Sequence, residues 1–197
     1  MPISDCEVRD PRIRRTRRLL QGALHDLMRD KSLDEISVQD IAEAATVNRA
    51  TFYDHYTDKF ALLDAMVAGG FHRLLQERGV RYDGSCASAA APVVLAACDY
   101  LCACHSSESA CRRQSAFEPL IESAMTNAIR RVLIGGMPKA RSKSGFSPEM
   151  LATTGSWAIY GAVKAWFGTA GRPPAEKVVP VIVRLVLPIL QGAGSAP

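Results

Sequence analysis

The sequence predicts an all-α protein with an N-terminal three-helix domain that contains a helix-turn-helix, followed by a larger helical domain. Apolar residues recur at helical spacing along most of the chain, and good capping residues precede several of these stretches. Breaks that contain glycine or proline separate them. The 197 residues are 48% hydrophobic, which suffices for one or two domains with a sizeable core. We expect domains of residues 1–59 and 60–197.

The first helix is expected to begin at Asp10, because a capping aspartate followed by proline favours a helix start. It should end between Met28 and Asp30, and Leu33 and Ile36 should anchor the connection that follows. An arginine-rich arm lies just before and within this helix, at Arg9, Arg12, Arg14, Arg15, Arg17 and Arg18. These arginines either neutralise phosphates or form a solvated helix start.

A short amphipathic helix should follow Ser37, whose hydroxyl can accept a backbone N–H and which has Asp40 three positions later. The apolar residues of this helix share one face, at Val38, Ile41, Ala42 and Ala45. The chain then changes direction over Thr46 and Val47. This order of elements is typical of the first half of a helix-turn-helix.

The second half of the motif should begin at Asn48, an N-cap residue, and reach about His55. Phe52 and Tyr56 are four positions apart and can both pack inward. The more exposed positions carry hydrogen-bonding side chains, namely Asn48, Arg49, Thr51, Tyr53 and His55. These residue types suit contacts with DNA grooves and phosphates. Thr57 and Asp58 should cap a further helix, with Lys59 in its first turn and N–H groups that can meet a phosphate oxygen.

This segment resembles the N-terminal domain of the TetR family of bacterial transcriptional regulators, over about residues 10–63. The likeness is strongest in NRATFYDHYTDKFALL, where NRATFYDHY matches the recognition helix and the lysine opens the next helix. SVQDIAEAA resembles the family's second helix and DPRIRRTRRLLQGALHDLMRD its first. One departure is Thr46, where the family usually has glycine, so the local backbone there should need a non-glycine conformation.

The resemblance implies that double-stranded DNA is the partner and assigns roles to individual positions. Tyr53, His55 and Lys59 would contact the DNA backbone, while Arg49, Asn48 and Thr51 would lie near base edges. Arginine can bind guanine O6 and N7 together, which favours Arg49 as the base-reading residue. Gln39, near the start of the second helix, would contact either a phosphate or a base.

Net charge alone would not have indicated DNA binding. The whole chain carries a formal charge of +4, and residues 1–59 contain 10 Lys and Arg against 11 Asp and Glu. Affinity should therefore depend on where individual cations lie and on pairing of two copies of the chain.

The remaining chain should be helical, with the segment after Thr57 continuing through the Gly69-Gly70 pair. Further helices are expected over residues 89–105, 111–133, 149–167 and 175–190, with a basic loop at 135–147 and a possible kink at Pro119. The last two of these helices are apolar on several sides, which predicts deep burial.

The resemblance implies a homodimer through these last two helices, which would read a near-palindromic operator. It also implies an effector-binding and dimerisation role for residues 60–197, and a repressor that an unknown small molecule releases. Aromatic residues that could line the effector site are Tyr100, Phe117, Trp157, Tyr160 and Trp166, although their spacing also suits core packing.

The last helix is too short and too interrupted to span a membrane, and no signal peptide is evident. A cytoplasmic protein is expected.

The cysteines leave an alternative open. Cys86, Cys98, Cys102, Cys104 and Cys111 lie close in sequence, and a thiol-redox or metal-responsive regulator could use them. Their spacing matches no standard zinc pattern, and buried thiols of a reduced protein explain them better. We therefore expect no metal or cofactor.

A second alternative is a helical protein that binds small molecules without regulating transcription. The histidines are scattered, and neither a nucleophile motif nor a phosphate-binding loop accompanies them. The sequence therefore predicts no catalytic site and no enzyme.

Overall fold

The computed structural model describes residues 10–79, 87–104, 118–137 and 145–192. All regular secondary structure within these ranges is helical, which confirms the predicted fold class. The helices are α1 (Pro11–Leu27), α2 (Val38–Ala44), α3 (Arg49–His55), α4 (Lys59–Glu77), α5 (Ala87–Cys104), α6 (Glu118–Gly136), α7 (Pro148–Phe167) and α8 (Ala175–Leu190). Several residues considered above lie outside the described ranges, namely Cys6, Arg9, Cys86, His105, Cys111 and Phe117.

Contacts divide the described chain into two compact units. The first contains residues 10–70 and 118–124, and we call its residues 10–70 the head. The second contains the described residues of 71–104 and 125–192, and we call it the C-terminal unit.

Local capping explains where the helices of the head begin. The Asp10 carboxylate accepts the Arg12 backbone N–H over 2.8 Å at the start of α1, and Pro11 occupies the first turn as expected. α1 ends at Leu27, close to the predicted end, and Leu20 and Leu24 on its buried face have no exposed surface. Leu33 and Ile36 are equally buried, so they anchor the connection to α2 as predicted.

The turn between α2 and α3 has the backbone conformation that glycine favours, so the expectation of a non-glycine conformation at Thr46 is wrong. Thr46 has φ of +56°, in the left-handed region that favours glycine. The Thr46 and Val47 N–H groups donate to the carbonyls of Glu43 and Ala42 over 3.0 and 2.9 Å. These bonds close the end of α2, so that Asn48 can begin α3 in a new direction.

The C-terminal unit packs α5 against α7 and α8, which also contact each other. α7 and α8 pack closely at Gly155, where a Cβ atom would lie 2.4 Å from Cδ2 of Leu190. α8 continues through Pro180 and Pro188. No helix in the part of the chain that the structure describes is long and apolar enough to cross a membrane.

Burial of α7 and α8 differs from the sequence prediction. Ile159 and Val183 belong to the core, but Trp157, Val181 and Leu185 are 51%, 45% and 65% exposed. Each helix therefore buries one apolar face within the chain and leaves other apolar side chains at the surface.

Candidate nucleic-acid interface

The exposed face of α3 carries most of the residues that the sequence assigns to DNA contact. Asn48, Arg49 and Tyr53 are exposed, whereas Thr51 and His55 are half-buried. Phe52, on the opposite face of the same helix, is completely buried. Because Phe52 holds α3 against the head, the polar side chains face away from the core.

Arg49 and Tyr53 contact each other on this face. Nη2 of Arg49 donates to Oη of Tyr53 over 3.3 Å, and the guanidinium carbon lies 5.7 Å from the centroid of the tyrosine ring. The two residues are four positions apart, so one helical turn brings them together. The residue expected to read a base is thus in direct contact with one expected to bind the DNA backbone.

Asn48 is already committed to capping α3. Its Oδ1 accepts the Ala50 backbone N–H over 2.8 Å, which directs its NH₂ group away from the helix. A bidentate contact with adenine uses both the oxygen and the nitrogen of the amide. Asn48 would have to share its oxygen between the cap and the base, so Arg49 is better placed for base reading.

Gln39 lies on the exposed surface of α2, and Nε2 of its side chain donates to Oε1 of Glu43 over 2.7 Å. A contact between Gln39 and a phosphate would bring the Glu43 carboxylate close to negative charge as well. The geometry therefore favours contact between Gln39 and a base edge over contact with a phosphate.

Lys59 makes contacts that sequence reasoning did not anticipate. Its ammonium group donates to the backbone carbonyls of Leu33, Ile36 and Asp34 over 2.7, 2.9 and 3.3 Å. An ammonium group has three donors, and these three bonds use all of them. Lys59 thereby fastens the start of α4 to the connection between α1 and α2.

The expected caps of α2 and α4 are present. The Ser37 hydroxyl accepts the Asp40 backbone N–H over 3.1 Å, and the Asp40 carboxylate accepts the Ser37 backbone N–H over 2.8 Å. Hydrogen bonds from the Ser37 side chain and backbone lower the pKa of the Asp40 carboxyl below its ordinary value. Oδ1 of Asp58 accepts the Ala61 N–H over 2.7 Å at the start of α4.

The arginines of α1 are not equivalent. Four of them are exposed and available to phosphates, namely Arg12, Arg14, Arg15 and Arg18. Arg17 is half-buried, and its guanidinium carbon lies 5.7 Å from the centroid of the Tyr56 ring. Arg17 therefore contributes to the interior of the head, which separates it from the rest of the cluster.

Two residues of this interior escaped sequence analysis as functional candidates. Nε2 of Gln21 on α1 donates to Oη of Tyr56 over 3.1 Å, and Tyr56 directly follows α3. Gln21 has no neighbouring motif that would single it out, and 35 residues separate it from Tyr56. The one signal that could have found it is a polar residue beside the apolar face of α1, next to Leu20 and three positions before Leu24.

Of the six cysteines, the structure describes the side chains of Cys98 and Cys102. Cys98 is completely buried, and burial, with a smaller effect of the Asp99 charge, raises the pKa of its thiol to about 12. A protonated thiol is a poor nucleophile and metal ligand, so Cys98 is unsuited to redox sensing. Among the described residues, no three His, Cys, Asp or Glu side chains lie close enough to hold a metal ion.

An open groove of about 490 Å³ lies beside α5 and α8 in the C-terminal unit. It is mainly apolar, with Pro92, Leu95 and Val179 in its wall and the charged residues Arg78 and Glu176 at its edge. Of the aromatic residues considered for an effector site, those that the structure describes do not line it. Tyr160 and Trp166 instead belong to the core, at 3% and 8% exposure.

Comparison with known proteins gives a family match that lies within the head. Residues 20–66 match the family of bacterial regulatory proteins called the tetR family. The chain is 42% identical over 59 residues to YxbF of Bacillus subtilis, an uncharacterized HTH-type transcriptional regulator, covering 29% of this chain and 16% of YxbF. It is 30% identical over 67 residues to DhaS of Lactococcus lactis, the HTH-type transcriptional activator of the dhaKLM operon, covering 34% of this chain and 36% of DhaS. The chain thus spans well under half the length of these curated relatives.

A solved structure extends the likeness of the fold to both units. The TetR transcriptional regulator from Streptococcus agalactiae superposes with a TM-score of 0.52 at 19% identity, covering 92% of this chain and 98% of that one. At this identity, the likeness shows a shared fold. Residues 20–66 thus match the tetR family of bacterial regulatory proteins, and the chain shares the fold of the regulator from Streptococcus agalactiae.

Proposed function

We propose that this protein is a sequence-specific DNA-binding transcriptional regulator and that α3 enters the major groove. The observation that carries the proposal is the arrangement of α3, which buries Phe52 and exposes Arg49 and Tyr53 in contact with each other. The match of residues 20–66 to the tetR family supports it. We propose no catalytic role for the chain. We propose a cytoplasmic location, because bacterial chromosomal DNA lies in the cytoplasm.

The proposed contact surface comprises seven residues, namely Gln39, Asn48, Arg49, Thr51, Tyr53, His55 and Lys59. We assign base reading to Arg49, and backbone contact to Tyr53, His55 and Lys59. A phosphate contact by Lys59 requires its ammonium group to exchange at least one carbonyl bond for a phosphate oxygen. The exposed arginines of α1 would supply further phosphate contacts.

Selection of bound duplexes from a random DNA library tests the proposal. We expect enrichment of one near-palindromic sequence, with affinity that falls as salt concentration rises. Arg49→Ala should lose discrimination at one base pair of each half-site, while Arg29→Ala, an exposed arginine at the end of α1, should keep it. Recovery of unrelated sequences only would contradict sequence-specific regulation.

We further propose that the protein acts as a homodimer through α7 and α8, so that two recognition helices read successive major grooves. The exposed side chains of Trp157, Val181 and Leu185 support this proposal. Val181 and Leu185 are four positions apart on α8, so they lie on one face that a second copy of the chain would cover.

Sedimentation of Leu185→Glu tests the dimer. A charge at the centre of an apolar interface should convert the protein to monomers. Leu19→Glu is the matched control, since Leu19 is an exposed leucine on α1, at 45% exposure. A wild-type protein that sediments as a monomer, or a Leu185→Glu variant that stays dimeric, would contradict the proposed interface.

We also propose that a small molecule binds the C-terminal unit and releases the protein from its operator, which makes it a repressor. The open groove beside α5 and α8 gives an apolar surface of suitable size. DhaS is named an activator, so the direction of regulation needs its own measurement. A reporter gene behind the selected operator should increase in expression when the protein is absent, and a decrease would contradict repression.

A further inference from the structure

Tyr56 joins the end of α3 to α1 in the interior of the head. The residue is only 5% exposed, although Tyr53, three positions earlier, is 49% exposed. Its backbone N–H donates to the Phe52 carbonyl over 2.9 Å and closes the last turn of α3. Its hydroxyl accepts the hydrogen bond from Gln21 of α1 over 3.1 Å. One residue thus caps the recognition helix and binds it to a neighbouring helix.

The ring of Tyr56 packs between two further side chains. The Phe52 ring has its centroid 6.0 Å away, and the Arg17 guanidinium carbon lies 5.7 Å from the Tyr56 centroid. Arg17 and Gln21 are one turn apart on α1, so the same face of α1 contacts both the ring and its hydroxyl. Ring packing is non-directional and tolerates sliding, whereas the hydrogen bond requires one position of the hydroxyl.

α3 needs such an anchor because it is short. It contains seven residues, and a helix of this length has little stability of its own. The Asn48 cap bonds to an amide of the same helix, so it stabilises α3 without fixing its position on α1. The bond between Gln21 and Tyr56 does fix that position, and a bidentate arginine contact with a base requires the helix to be placed within a fraction of an ångström.

We infer that Gln21 and Tyr56 are positioning residues for base reading. Their hydrogen bond sets the placement of α3 on α1, and with it the placement of Arg49 relative to the phosphate-binding arginines of α1. Its loss lowers discrimination between the operator and unrelated DNA, while general affinity for DNA is retained. This inference rests on the proposed function, since it concerns how the same DNA surface gains its specificity.

Removing either partner of the hydrogen bond tests the inference. Tyr56→Phe deletes the hydroxyl and keeps the ring, and Gln21→Leu deletes the donor at similar size. The affinity of each variant is measured for the selected operator and for a random duplex, over a range of salt concentrations. We expect the ratio of the two affinities to fall about five-fold in each variant, the effect of one neutral hydrogen bond. Affinity for the random duplex and its salt dependence should stay unchanged, because the phosphate contacts remain.

Two controls separate positioning from stability and from direct contact. Tyr53→Phe makes the same change at the exposed tyrosine, and unlike Tyr56→Phe it should also weaken binding to the random duplex, because it removes a proposed contact with the DNA backbone. Gln21→Glu should keep the wild-type ratio, because the Tyr56 hydroxyl can donate to the new carboxylate. A loss of folded protein would reduce binding to both duplexes equally, so it would not change the ratio.

The double variant Gln21→Leu with Tyr56→Phe should show the same five-fold loss as either single change, because both remove one bond. Losses that multiply in the double variant would overturn the inference, since the residues would then act separately. An unchanged ratio in both single variants would overturn it as well and leave the proposed function standing. A wild-type protein that selects no sequence would refute the proposed function, and base positioning with it.

Discussion

In the head, polar side chains determine where each element begins and how it is held, whereas apolar packing dominates the C-terminal unit. Asp10, Ser37 and Asn48 cap successive helices, and Lys59 and Gln21 bond to segments far away in sequence. α5, α7 and α8 contact one another, and nearly all of their buried side chains are apolar. This contrast explains why a family resemblance can be recognised in the sequence of the head, whereas the sequence of the C-terminal unit indicates no particular ligand.

The largest effect should come from the packing of the C-terminal unit. Gly155→Val places atoms where Leu190 already lies, because a Cβ alone would be 2.4 Å from its Cδ2. We expect a loss of about 3 kcal/mol in the free energy of unfolding, measured by chemical denaturation. Gly22→Val is the control in the head, since a Cβ there meets nothing within 4 Å. Equal effects at both glycines would break the contrast between the two regions.

A somewhat smaller effect should follow from the main polar anchor of the head. Lys59→Met keeps the aliphatic part of the side chain and removes three charge-assisted bonds to carbonyls. We expect the free energy of unfolding to fall by about 2 kcal/mol without any DNA present. The control Lys31→Met should have little effect, because Lys31 is an exposed lysine whose ammonium lies 3.9 Å from Asp40. Full stability of the Lys59 variant would leave phosphate contact as its sole role.

Removal of a single helix cap should cost less. Ser37→Ala should destabilise the protein by about 1 kcal/mol near neutral pH, because it leaves helix N–H groups unbonded. Since the bonds from Ser37 lower the pKa of the Asp40 carboxyl, the carboxylate contribution is present above its ordinary pKa of 3.8 and is lost as the pH falls below it. Denaturation curves should therefore show the gap between wild type and variant narrowing in acid. A difference in stability that widens in acid would show that the reciprocal bonds between Ser37 and Asp40 are not its cause.

The smallest effect concerns the turn between α2 and α3. Thr46→Gly removes the strain of a β-branched residue at φ of +56°. Glycine also gains freedom in the unfolded chain, so we expect a net gain in stability of about 0.5 kcal/mol. Val47→Gly, at the next residue, should instead reduce stability. A Thr46→Gly variant that loses stability would show that contacts of the threonine side chain outweigh the strain.

Sequence reasoning succeeded where structure depends on neighbouring residues. The caps at Asp10, Ser37 and Asn48 act within three positions of themselves. It also placed Phe52 and Tyr56 correctly in the core. These inferences need only helical spacing and side-chain chemistry.

Sequence reasoning failed where the two residues of a contact are far apart in the chain. The Lys59 ammonium meets carbonyls 23 to 26 positions away, and Gln21 meets Tyr56 across 35 positions. Spacing along the chain contains no information about such pairs. The burial of α7 and α8 was overestimated for a related reason, since apolar side chains look the same whether a core or a second copy of the chain covers them.

The contact between Arg49 and Tyr53 also has a consequence for the thermodynamics of recognition. A free arginine side chain gives up rotamer freedom worth about 2 kcal/mol when it becomes fixed on a base. Arg49 already rests on Tyr53 before DNA arrives, so part of that entropy is lost during folding. Calorimetry of operator binding should therefore show a less unfavourable entropy for the wild type than for Tyr53→Ala, in which the guanidinium moves freely until it meets the groove.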